Sequence, residues 1–178
     1  MSENLRTTKY SNGENISDAL GFEDFKVYDN DSLAIDEFGL YYNYSVVEDT
    51  SGICPCNWHV PTELDFTKLI EYAGGIWKAL RKLKSSGVLE DGSASWINEN
   101  PLYSGTNTIG FNALPAGFIF VENSLYKHEL TFFWAITHES NKLLSYRIGQ
   151  AKTVVKTLQP SGNNTDNYYY SIRCIKNL

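Results

Sequence analysis

"SGICPCNWHVPTELDF", residues 51–66, places two cysteines, two prolines, a tryptophan and a histidine directly ahead of a helix signal. Thr62 stands at an N-cap position, and Asp65 follows three residues later, where a capping box places its acid. Pro61 precedes them. Leu69, Ala73, Ile76, Trp77 and Leu80 then recur at helical spacing. Gly74 and Gly75 interrupt the pattern, so it predicts two helices, over 62–73 and 76–84. Cys54-Pro-Cys56 with His59 reads in two ways: as a metal or redox site, or as a corner that locks a fold. Structural zinc sites use C-x2-C and a second ligand pair, and no second pair accompanies these residues. His59 therefore reads as a hydrogen-bonding anchor of the turn into the helix. Trp58 and Trp134 read as core.

Outward from this stretch the periodicity changes. Residues 1–34 are polar and mixed, read as short strands and turns, with Asn12-Gly13 a turn candidate. "GLYYNYSVV", 39–47, is aromatic and β-prone, so strand-like. After Gly87, "SWINENPLYSGTNTIG" is loop-rich. "FNALPAGFIFV" and "TFFWAITHE" are strand candidates, and "LLSYRIG" alternates at Leu144, Tyr146 and Ile148. "KTLQPSGNNTDN", 156–167, reads as a polar loop. "YYYSIRCIKN" alternates again, with Tyr168, Tyr170, Ile172 and Cys174 on one face. The expected class is α+β, with a small helical part in the first half and short strands around and after it.

The 178 residues favour one domain, 1–178, long enough to bury a core. Hydrophobic residues make up 42% and charged residues 20%, a globular balance. A net charge of −6 argues against a nucleic-acid partner, which needs a basic footprint. The cluster Lys78, Arg81, Lys82 and Lys84 reads as a solvated helix face. No stretch approaches the ~18 apolar residues that span a bilayer, so no membrane insertion is expected. The N-terminus lacks an apolar signal core, so any secretion signal is expected to lie outside these residues or to be absent. Three cysteines allow at most one internal disulfide.

Five segments in order carry a family resemblance: "MSENLRTTKY", "LYYNYSVV", "GICPCNWHVPTELDF", "GFNALPAGF" and "YYYSIRCIKN". From Met1 to about Lys176 the chain resembles the Fibrobacter succinogenes major paralogous domain. It departs from that pattern at Cys56 and Asn57, where the family has a small residue and Gly, and at Phe66, Ala116 and His138. The resemblance implies a C-type-lectin-like fold: two short helices packed on a small twisted antiparallel sheet, with long irregular loops and neighbouring termini. It implies an extracellular or cell-surface module of a longer bacterial protein, or a phage-virion protein. Variable receptor-binding proteins of diversity-generating retroelements share similar folds. Cys54 and Cys174 occupy the family's two cysteine positions. The resemblance implies a bridge between them in an oxidising compartment, or a reduced buried pair after cytoplasmic assembly.

Other chemistry finds little support. No nucleophile elbow, papain-like cysteine context, dinucleotide fingerprint or P-loop is present, and no carboxylate pair is marked by spacing. "DNDS", 29–32, lacks the closing Glu of an EF-hand. "QPSGNN" approaches a calcium-dependent sugar tripeptide but has Ser161 where the Asp belongs. The expectation is no enzyme and no cofactor, with calcium left open because lectin-like folds often bind it through loop Asn, Asp and Glu. The runner-up enzyme is an oxidase of the formylglycine-generating type, which would use Cys54 and Cys56 as a thiol pair with copper. The expected function is recognition of a cell-surface glycan or protein by a face rich in Tyr and Asn. Its candidates are Tyr126, Lys127, His128, His138, Glu139, Asn163, Asn164, Asp166, Asn167 and Tyr169. The alternative is a structural subunit of a surface, pilus or tail-fibre assembly, oligomeric through its parent assembly.

Overall fold

The computed structural model describes residues 1–16, 24–86, 96, 104–149, 153–162 and 167–177. Strand β1 (Phe25–Lys26) leads through a 3-10 turn (Tyr28–Asn30) to helix α1 (Ser32–Phe38). Strand β2 (Tyr41–Tyr42), helix α2 (Tyr44–Glu48) and strand β3 (Trp58–His59) follow. Helices α3 (Glu63–Tyr72) and α4 (Ile76–Leu83) form a pair. Then come β4 (Phe118–Phe120), β5 (Asn123–Leu125), β6 (Leu130–Ala135), β7 (Lys142–Gly149), β8 (Val155–Pro160), β9 (Tyr168–Tyr169) and β10 (Ile175–Lys176). The fold is α+β, and every pairing among these strands is antiparallel.

The helix pair forms for local reasons. The Thr62 side chain accepts from the Asp65 N–H, and the Asp65 carboxylate accepts from the Thr62 N–H at 2.9 Å, closing the capping box. Gly74 and Gly75 take φ of 95° and 88°, which ends α3 and starts α4. The apolar sides of both helices cover one face of the sheet β6-β7-β8. There Phe66, Ala73, Ala79, Leu80 and Leu83 pack on Phe133, Ala135, Leu144, Tyr146 and Ile148. Phe66 stacks on Tyr146 at 4.1 Å between ring centroids.

The other face of that sheet carries a second core. Trp134 and Leu143 pack there with Tyr42, Tyr44, Val46, Val47 and Tyr170. The Trp134 indole N–H donates to the Tyr42 carbonyl at 2.7 Å, so the largest buried ring keeps its polar edge satisfied. A second sheet, in the order β5-β4-β9, runs into β6 through bridges at Gly117–Thr131 and Ser171–Phe133. Its inner residues Ile119 and Tyr169 meet Tyr28, Phe38, Tyr41 and Ala116 in a third core.

The opening stretch is a corner. Cys54 and Cys174 form a disulfide across 120 residues, with Cα atoms 5.8 Å apart. Strands β3 and β10 pair beside it, His59 opposite Ile175. His59 meets the Asn177 side chain through Nδ1 at 2.6 Å and Asp65 through Nε2 at 3.2 Å. Asn57 takes φ of 65°, the left-handed conformation, which is why Gly suits that position in the family pattern. The neighbouring Arg173 is buried, and its guanidinium donates to Asn4 Oδ1 at 2.7 Å and to the carbonyls of Phe111 and Asn112. The Met1 amino group donates to the Cys174 carbonyl at 2.9 Å, so the two ends of the chain meet here.

Several expectations need correction. Residues 39–47 are not one strand: β2 holds only two residues before Asn43 caps helix α2 with its side chain. Residues 156–160 lie in β8, because pairing with β7 outweighs their polar composition. Lys84 is buried, its ammonium 4.3 Å from the Trp96 ring, so it leaves the solvated set. Ile76 and Trp77, at helical spacing with the apolar positions, are 47% and 65% exposed. Trp134 is fully buried as expected, whereas Trp58 is half-buried against the second core.

Candidate functional site

Strand β4 builds the site by alternation. Ile119 points into the third core, which sends Phe118 and Phe120 to the opposite face, where both are half-buried. The register places Leu125 beside Phe118, and Tyr168 beside Phe120. Tyr126 follows with φ of 60° and half its surface open, and its ring stacks on Phe118 at 5.8 Å. This fold-over needs Gly117: a Cβ there would stand 2.2 Å from the Leu125 carbonyl oxygen.

The half-buried rings converge on the buried Tyr170. Phe118 meets Phe132 edge-on at 5.2 Å, and Phe132 stacks on Tyr170 at 4.5 Å. Tyr168 lies 4.8 Å from Phe120 and 5.8 Å from Tyr170. Tyr170 in turn lies 4.2 Å from Trp134. Burial raises the Tyr170 phenol above its ordinary pKa, so it stays neutral and acts as support. The result is an aromatic face whose inner layer fixes the rotamers of its outer layer. Strand β7 continues the face: Arg147 stands directly opposite Phe132 on one side and Val155 on the other. A row of half-buried side chains therefore crosses four strands, from Val155 through Arg147 and Phe132 to Phe118.

The structure divides the residues expected to bind. Tyr126 belongs to this face. Lys127 beside it directs its ammonium inward, 4.9 Å from the Phe38 ring. His128 takes φ of 68°, and its backbone N–H donates to the Pro115 carbonyl at 2.8 Å. Asn167 sits at the edge of the face, where its carbonyl accepts from the Val121 N–H. His138 and Glu139 lie beyond the other end of β6, a strand of six residues and so roughly 17 Å away. Glu139 pairs there with Lys142. They do not share a site with Tyr126. Tyr169 is 3% exposed and belongs to the third core, because it alternates with Tyr168. It is removed from the binding set. Asn163, Asn164 and Asp166 lie outside the described residues.

Sequence reasoning missed Phe118, Phe120, Phe132, Tyr168 and Arg147. The alternation that put Leu144, Tyr146 and Ile148 together also put Leu143, Ser145 and Arg147 on the reverse face. That second half of the pattern was the available signal. The thiol-pair reading fails, since Cys54 is bonded to Cys174 and only Cys56 is a free, exposed thiol. The same bond removes Cys54 from any ligand set with Cys56 and His59. Beside the corner, a cavity of about 170 Å³ lies between Met1, Phe66, Leu69, Phe111 and Arg173. Its walls are mostly apolar, and its one buried cation is held by Asn4, Phe111 and Asn112.

No curated protein and no solved structure matches the chain. The model of the Fibrobacter succinogenes major domain matches residues 1–176, which include the disulfide corner, the helix pair and every strand of the aromatic face. The chain therefore belongs to the Fibrobacter succinogenes major domain family.

Proposed function

We propose that this chain is a non-catalytic recognition module with a C-type-lectin-like fold, and that it binds a cell-surface glycan or protein through the aromatic face. The carrying observation is the pairing of half-open rings, Tyr126, Phe118, Phe120 and Tyr168, with a buried ring layer that holds them in place. Rigid aromatic rings present large contact area at low entropic cost, and sugars and apolar side chains both stack on them. The disulfide supports an extracellular or cell-surface location, on a cell or a virion.

The test is a binding screen against glycans and intact bacteria, with wild type and Tyr126→Ala, each with and without a calcium chelator. Binding that survives chelator and falls in Tyr126→Ala is the expected result. Loss with chelator alone would move the site to loop acids and calcium. A second reading has its own observation: Tyr72, Ile76 and Trp77 are 78%, 47% and 65% exposed at the α3–α4 corner. Such a patch suits contact with sister chains in an assembly. Light scattering that returns only oligomers, together with an empty binding screen, would favour it.

A further inference from the structure

We propose that the aromatic face selects saccharides bearing a carboxylate, such as uronic acids, and that Arg147 reads the carboxylate; this inference rests on the recognition reading above. Tyr146 points to the helices, where it stacks on Phe66, so Arg147 points to the opposite face. Its strand is the middle one of three, and its neighbours across both pairings, Phe132 and Val155, are half-buried. Arg147 itself is half-buried.

The other three arginines of the chain have partners. Arg6 pairs with Glu3, and Arg81 donates to the Ser104 carbonyl. Arg173 is held by a side-chain oxygen and two carbonyls. Arg147 has no carboxylate, carbonyl or ring partner among the described residues. Acids are not scarce, since the chain has 21 of them against 15 Lys and Arg. Among the described residues the buried side-chain atoms without a partner are Glu37 Oε1, Thr131 Oγ1 and Gln159 Oε1, so the unpaired Arg147 guanidinium meets solvent and is open to a ligand.

The geometry names that ligand. A guanidinium offers two parallel N–H donors that match a carboxylate. Phe132 lies one strand away and Phe118 the next, so an aromatic platform begins about 5 Å from Arg147 and extends to about 10 Å, where Phe118 and Tyr126 lie stacked. A uronic acid carries an apolar C–H face for the platform and a carboxylate at its edge. A neutral hexose has the face without the charge.

Calorimetric titration with oligogalacturonate and with its carboxyl-reduced, neutral counterpart tests this. Wild type is expected to bind the acidic oligosaccharide about ten- to a hundredfold tighter. Arg147→Gln is expected to lose that preference and keep the neutral affinity. Arg147→Lys retains the charge without the fork and should keep part of the preference, which separates a lost contact from a damaged fold. Equal wild-type affinity for the two ligands would overturn the inference. So would a preference that survives in Arg147→Gln. If both ligands bind equally and Tyr126→Ala weakens both, the recognition face stands and only the role of Arg147 falls. If neither oligosaccharide binds, the inference falls, and the glycan screen decides the broader reading separately.

Discussion

Removing the disulfide should cost this fold a large part of its stability. The bridge closes a loop of 120 residues. Loop-closure entropy for that length is worth about 4.9 kcal/mol at 25 °C. A chain of 178 residues unfolds with an entropy of about 370 cal/mol/K near its midpoint, so the loss translates to about 13 °C in Tm. Ordinary domains have only about 5–15 kcal/mol in total, which leaves the reduced protein near the edge of folding. The assay is calorimetry with and without a phosphine reductant, alongside Cys54→Ala/Cys174→Ala. Both cysteines are buried and Cys56 is exposed, so a thiol reagent should find one group in the native protein and three after reductive unfolding. Cys56→Ser is the control and should leave Tm unchanged. A fully reduced protein whose Tm falls by less than about 4 °C would refute the chain-entropy account. It would mean that β3–β10 pairing and the Arg173 bonds hold the corner without the bridge.

Further outcomes follow from the same contacts. Thr62→Ala removes the cap of α3 and should cost about 1 kcal/mol by urea titration. Burial pushes the Asp65 carboxyl up, but hydrogen bonds from Thr62 and His59 outweigh it and hold the carboxyl below 3.8. Its stabilisation is therefore present above that value and is lost as pH falls through the lower folded one, so the gap between wild type and Asp65→Asn should close in acid. Burial first, and the Glu63 charge second, raise Tyr146 from 10.0 to about 12. Its neutral form adds stability below pH 10 that disappears as pH rises toward 12, and an absorbance titration near 295 nm should show this phenol ionising late. Arg173→Met would strand Asn4 Oδ1 and two carbonyls without donors, a loss of about 3–5 kcal/mol readable in denaturant midpoints. Gly117→Ala drives a Cβ into the Leu125 carbonyl and should lower ligand affinity together with Tm.

The corner was legible because its signals are local. A cap, a box partner and a Gly-Gly break specify α3 and α4 without reference to the rest of the chain. The bridge needed the family pattern, since three cysteines alone leave the pairing open. Residues 44–48 and 156–160 were misread for the opposite reason. "YSVVE" is β-prone by composition, yet the Asn43 cap and burial of Val46 and Val47 in the second core make it a helix. "KTLQP" is polar, yet β7 supplies it with a pairing partner. The binding face was hidden because aromatic residues on one strand face look like core in sequence. Only the register between β4, β6 and β9 shows which of them remain half-open, and which, like Tyr169 and Tyr170, are interior.

One segment joins the corner to the face. From residue 168 the chain contributes Tyr168 to the open rings, then Tyr170 to the buried layer beneath them. Ser171 bridges to Phe133 of β6, Arg173 ties Asn4 to the 111–112 loop, and Cys174 closes the disulfide. The covalent lock and the proposed ligand platform thus share one stretch of seven residues, 168–174. A platform that binds by stacking gains affinity by holding its rings still before the ligand arrives. The lock lies outside that platform, so its effect on binding can act only through the order of this segment. Reduction that leaves the protein folded at low temperature should then weaken ligand binding mainly by faster dissociation, while Tyr126→Ala, which removes a contact, should weaken it equally in the oxidised and reduced protein. Identical dissociation rates for oxidised and reduced wild type would separate the corner from the face and confine the disulfide to stability.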